Sequence, residues 1–334
     1  MMQKQSTTAA LPGVFSTLSA GFELTTRYLW LILIPAALDF FLWLGPRLSF
    51  QPLIESIITQ LPAQAMPIDF ASLLDVAAAR LNHFTYLSVS GMGVPALMTG
   101  LTPEKTPIQP AIIVRDGLGA WFGSLALFTL AGLLLTAIYY SLIAFALRRA
   151  SATTAGTSAP FAPLRFVRRS IRTWLRLTGL GILFLVLTLV IVFPISLVAG
   201  LLSLMSQAIS TLFLMGALLL IIWVAMFLSY APQGMTLNPR PLPKALFESV
   251  LLFRANLPTS LGLLFVVVLI RRLLEALLLS ADSGTWVTGI NLVAHAYIST
   301  ALIVALFIFY RDRYTAYLQN IRTISTPDQV NQQL

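Results

Sequence analysis

The sequence predicts an all-α fold: a polytopic transmembrane helical bundle of six spans arranged as three hairpins. Three observations carry this. Apolar residues fill 57% of the 334 positions and charged ones only 10%, against roughly 25% charged in a soluble domain. The apolar residues gather into runs of about 20, the length that crosses roughly 30 Å of hydrocarbon. The net charge of +9 is almost wholly arginine and flanks those runs, as in cytoplasmic loops.

The first span is expected over 23–44. Lys4 ahead of an apolar stretch suggests a signal peptide, but Tyr28 to Leu44 is too long for a signal core, and Ala63-Gln64-Ala65 lies far beyond it. An uncleaved helix is therefore expected. The connection 45–116 forms the one sizeable outer loop. It holds an amphipathic stretch, Asp69 to His83, with Phe70, Leu73, Leu74, Ala77 and Leu81 at helical spacing. The apolar, glycine-punctuated run Leu87 to Leu97 follows; poorly solvated as a free loop, it is expected on the outer membrane face or capping the bundle.

The second span covers 117–147 and opens with Gly119-x-x-x-Gly123, a common close-packing motif. Ser151 to Ser158 reads as a flexible linker. Spans at 177–200, 206–230, 258–280 and 286–310 complete the six. Pro35 and Pro194 fall inside spans, where neighbouring helices satisfy the freed carbonyls. The tail beyond Arg322, with Thr326-Pro327-Asp328, reads as frayed.

Orientation follows from the connections. Arg148, Arg149, Arg165, Arg168, Arg169, Arg172 and Arg176 lie between the second and third spans without an acidic residue among them. Arg240, Lys244 and Arg254 follow the fourth span, and Arg311, Arg313 and Arg322 follow the sixth. The first connection mixes Arg47, Arg80, Lys105 and Arg115 with Glu55, Asp69, Asp75, Glu104 and Asp116. Positive-inside counting places both termini on the cytoplasmic side of the plasma (inner) membrane.

Each hairpin opens with a cationic, amphipathic lead-in: Phe15 to Arg27, Phe166 to Arg176 and Leu246 to Asn256. These are expected as interfacial helices on the cytoplasmic face. A threefold internal repeat accounts for them, and so does the general occurrence of cationic lead-ins on that face. Arg165, Arg168, Arg169, Arg172 and Arg176 recur at three- and four-residue spacing, a stripe suited to anionic headgroups. The expected partners are membrane lipids and a membrane protein, not nucleic acid.

Intramembrane charge is costly and marks the first place to look for function. Asp39, Arg271, Arg272, Glu275 and His295 fall at similar outer-half depth on three different spans, so an interhelical cluster is one reading. Local pairing is the other, since Glu275 lies four residues after Arg271 and three after Arg272. If Asp39 faces the bundle, one arginine is its expected partner and Glu275 takes the other. Chemistry is otherwise sparse. With no cysteine and only two histidines, His83 and His295, thiolate metal sites, thiol nucleophiles and iron–sulfur clusters are excluded. None of the nucleotide, metalloprotease or nucleophile-elbow motifs is present, so no cofactor, metal or catalytic residue is expected.

The third hairpin carries a resemblance. Lys244-Ala-Leu-Phe-Glu-Ser249, Arg254-Ala-Asn256, Ala296-Tyr297 and Phe309-Tyr310-Arg311-Asp312-Arg313 resemble uncharacterised six-span bacterial membrane proteins. Those are similar to the YciC-like families and to the membrane domain attached to some glycerophosphodiester phosphodiesterases. The resemblance covers the last third well, the second hairpin loosely and the outer loop hardly at all. It implies an all-α bundle without a soluble catalytic domain, and no site. The leading expectation is a non-catalytic scaffold, assembly factor or partner subunit; the alternative is a transporter or lipid-handling permease using the outer polar cluster, and the third reading a membrane-embedded lipid enzyme.

Overall fold

The computed structural model describes residues 11–60, 78, 80–89, 92–100, 103, 105–154, 156–157, 162–238, 240–280 and 283–325. Most of the predicted amphipathic stretch Asp69 to His83 and the tail from Thr326 lie outside them. The fold is helical. Helices α1 (Val14–Arg27), α2 (Leu33–Leu44) and α3 (Gln51–Gln60) come first. Then follow α4 (Leu118–Thr154), α5 (Pro163–Met205) and α6 (Gln207–Leu228). The series ends with α7 (Ala231–Leu237), α8 (Leu242–Ala255), α9 (Leu257–Leu279) and α10 (Val287–Ser325).

Strands are nearly absent among the described residues. The exception, which the sequence reading missed, is a parallel pair of β1 (Arg47–Ser49) and β2 (Ile112–Val114). It joins the two ends of the outer connection directly to α4, and the Asn82 Oδ1 accepts from the Leu48 N–H on its flank at 3.0 Å.

Four helical stretches are long and apolar enough to cross a bilayer: Leu118–Thr154, Pro163–Met205, Gln207–Leu237 and Val287–Gln319. The pair Val14–Arg27 and Leu29–Leu44 qualifies as a fifth if taken as one span bent by 95°. The bend breaks the helix expected over 23–44 near its start. It falls at Tyr28, whose N–H reaches both the Leu24 and Thr25 carbonyls and whose φ of −125° leaves the helix. Pro35 makes no break, because it sits in the first turn of α2, where its missing N–H has no helical partner to lose.

A matching break separates α8 from α9 at Asn256, with φ −127° and its N–H on the Leu252 and Phe253 carbonyls. Like α1, α8 has 14 residues and an arginine in its last turn. The second lead-in differs: it is continuous with its span in α5, a single helix of 43 residues, about 64 Å at 1.5 Å per residue. Likewise α4 runs on to Thr154, into the segment read as a linker.

Nor does α1 lie apart from the bundle. It runs antiparallel along α10, from Arg313, whose Nη2 donates to the Pro12 carbonyl, to Tyr297, hydrogen-bonded to Thr26. Thr17, Gly21 and Thr25 form its buried face, small residues one turn apart that let two backbones approach. A β-carbon on Gly21 would lie 2.5 Å from the Ala301 carbonyl and 2.8 Å from the Ala305 side chain. The closeness of that crossing admits glycine alone.

The buried core lies between α2, α4 and α10, around Trp43, Tyr139, Ile143 and Phe307. The described part of the run Leu87 to Leu97 packs onto it: Val94, Ala96 and Leu97 are buried, and the Tyr140 hydroxyl donates to the Met92 carbonyl at 2.9 Å. The hairpin of α5 and α6 stands at the other extreme. Only 6% and 0% of their most apolar windows are covered by protein, against 61% for α4 and 67% for α10.

Candidate functional site: a buried polar chain and an apolar cavity

The five polar residues expected within apolar spans do not form one cluster. Asp39, on α2, is fully buried. Its Oδ1 accepts the Met98 N–H at 2.9 Å and its Oδ2 meets the His295 Nδ1 at 3.3 Å. His295 is also fully buried, and its Nε2 meets the Ser299 Oγ at 3.1 Å, one turn along α10. With Nδ1–H donated to the carboxylate, Nε2 carries the lone pair and the Ser299 hydroxyl donates. Asp39 thus pairs with histidine and with loop backbone, not with an arginine as expected.

Arg271, Arg272 and Glu275 keep to themselves on α9. Arg271 Nε donates to Glu275 Oε1 at 2.8 Å and Arg272 Nη1 to Oε2 at 3.1 Å. Glu275 therefore takes both guanidinium groups, which is the local alternative. The reason is spacing: residues three and four apart share a helix face, so one carboxylate reaches both without recruiting another helix.

The two groups meet at a cavity. A partly open space of about 440 Å³ has Arg271 on one wall and Ser299 on another. Leu264, Val267, Val268 and Arg271 form its stripe on α9, and Ser299, Leu302, Ile303 and Leu306 its stripe on α10. The i, i+3, i+4, i+7 spacing puts each set on one face. Met92 to Pro95 and Tyr140 border it, and Gln233 of α7 reaches it from elsewhere in the wall. The volume falls within the range of ligand pockets. Ser299 was not singled out in the sequence; the available signal was His295-x-x-x-Ser299, a polar pair one turn apart on an apolar span.

The order Ser299, His295, Asp39 is that of a nucleophile, base and orienting acid. Ser299, however, lies inside α10, where backbone N–H groups are consumed by the helix. Its own segment offers no oxyanion donors, the part that acyl transfer needs most. The chain is suited to anchoring α2 and the Leu97–Thr99 turn against α10, and to ending a polar path at the cavity wall. No group of three potential metal ligands occurs among the described residues.

His83 has a separate place. Its ring packs 4.3 Å from both Phe50 and Trp121, and its Nδ1 meets the Ser124 Oγ at 2.9 Å. Burial pushes the imidazole down to about 4, so it is neutral near pH 7. It pins the outer connection to α4.

The arginine stripe divides in two. Arg169 Nε and Nη2 donate to the Thr236 and Leu237 carbonyls at 3.2 and 2.8 Å, and Arg176 Nη1 to the Met235 carbonyl at 3.4 Å. These are the last carbonyls of α7, which lack helical partners and carry the negative end of its dipole. Arg165, Arg168 and Arg172 are exposed.

No family model, curated protein or solved structure matches this chain.

Proposed function

We propose that this is a six-span protein of the inner membrane, built as three hairpins with both termini in the cytoplasm, that holds a membrane amphiphile within its bundle as a lipid-handling carrier or permease component. The cavity of about 440 Å³ between α9 and α10 carries this reading, since an apolar space inside a bundle and partly open is filled most readily by apolar chains from the surrounding bilayer. The arginine-rich connections support the orientation. The fifth and sixth crossings are α9, whose 23 residues include Arg271, Arg272 and Glu275, and the broken α1–α2 pair.

Purification into lipid nanodiscs followed by mass spectrometry tests it. The expected result is one class of amphiphile retained after exchange of the bulk lipid, and its loss in V267F, which fills the cavity. A protein that retains nothing, with V267F indistinguishable, would defeat the reading. A second reading, as a non-catalytic scaffold or partner subunit, is favoured by the uncovered α5–α6 hairpin. A membrane protein retained in fixed stoichiometry would support it.

A further inference from the structure

The chemistry of the wall narrows the occupant further. Among the described residues lining the cavity, Arg271 is the one that carries formal charge. Its Nε is taken by Glu275, and its two Nη groups have no hydrogen-bond partner among the described residues. Arg271 and Arg272 against Glu275 leave a net charge of +1 at this end of the cavity. The remaining wall is mostly apolar, with Ser88, Tyr140, Ser229, Gln233 and Ser299 as its uncharged polar side chains.

Length sets the other limit. The α9 and α10 stripes are each about 10 Å long, so an acyl chain enters bent or leaves its end in the bilayer.

We propose that the cavity binds an acyl chain of an anionic amphiphile, with its carboxylate or phosphate on the Nη groups of Arg271. Free fatty acids and anionic phospholipids share this chemistry. The proposal rests on the amphiphile-binding reading above and adds the sign of the headgroup.

Three probes of equal chain length test it on the full-length protein in detergent: palmitate, hexadecyl phosphate and the uncharged hexadecanol. Wild type is expected to bind at least one anion about tenfold or more tightly than the alcohol, the usual effect of a charge-assisted hydrogen bond. R271Q should remove that preference while still binding hexadecanol as wild type does, and V267F should weaken all three. Thermal unfolding of each variant shows whether it is folded. Tighter palmitate points to a fatty acid, and tighter hexadecyl phosphate to a phosphate headgroup. Equal binding of all three, unchanged in R271Q, would overturn the headgroup assignment and leave an apolar chain site. Absence of binding by any probe in folded wild type would overturn both.

Discussion

At the scale of residues, the most consequential pairing is the one between α2 and α10. Asp39 and His295 lie 256 positions apart, and each fills the other's hydrogen-bonding need in a site closed to water. Replacing Asp39 by alanine leaves His295 Nδ1 and the Met98 N–H without their acceptor. Breaking a buried pair in this way costs about 3–5 kcal/mol. Asparagine keeps one acceptor oxygen and replaces the other with an NH2 donor, so one of the two N–H groups loses its acceptor, a cost of about 1–3 kcal/mol. Thermal unfolding in detergent should therefore rank wild type above D39N and D39N above D39A. If D39A melts with wild type, the pair contributes nothing to the fold. The presence of Asp39 and His295 as polar residues within apolar runs was legible in the sequence; their mutual choice was not. Helical depth placed them at one level, but depth does not say which faces meet.

At the scale of elements, α5 shows how one stripe serves two purposes. Its arginines repeat every three or four residues, and the sequence presents them as equivalent. Packing separates them, because α7 ends against one side of α5 and needs donors for its last carbonyls. Arg169, through hydrogen bonds to Thr236 and Leu237, is a cap. Arg168, one residue earlier and about 100° around the helix, is exposed. R169Q is expected to lower stability by about 2 kcal/mol, the scale of a charged hydrogen bond. R168Q should leave unfolding unchanged and weaken association with anionic vesicles by about 1 kcal/mol. Melting curves and vesicle binding of the two variants separate these roles, and identical behaviour in both assays would refute the division. The lead-ins teach the same lesson. All three look interfacial in sequence, yet α1 buries Thr17, Gly21 and Thr25 against α10 and the second merges with its span.

At the scale of the whole molecule, the distribution of cover is uneven. The outer connection, α2, α4 and α10 enclose a core, while α5 and α6 present nearly all their apolar surface outward. In water that surface would drive aggregation; in a bilayer it is solvated by lipid tails. The proposed orientation has a direct test, since the chain lacks cysteine and single cysteines can be placed at will. Lys105 and Lys244 are exposed and separated by three proposed crossings. A membrane-impermeant thiol reagent should label K105C in intact cells and K244C only after the membrane is opened. Labelling of both from the outside would overturn the three-crossing arrangement between them.

The sequence by itself determined where the apolar runs of the helices lie. Gln207–Leu228 and Leu257–Leu279 fall within two residues of the stretches read at 206–230 and 258–280, whereas α4, α5 and α10 run well past theirs. It also offered the local pairing of Glu275 with Arg271 and Arg272 as one of two readings, and the structure chose it. The tertiary structure decided what depends on rotation and crossing: the 95° turn at Tyr28, the β1–β2 pair, the bond of Asp39 to His295 and the approach of Ser299 and Arg271 to one cavity. Apolar periodicity is weak on a helix that is apolar all round, so the faces of such helices are chosen by packing, over separations that no local pattern spans.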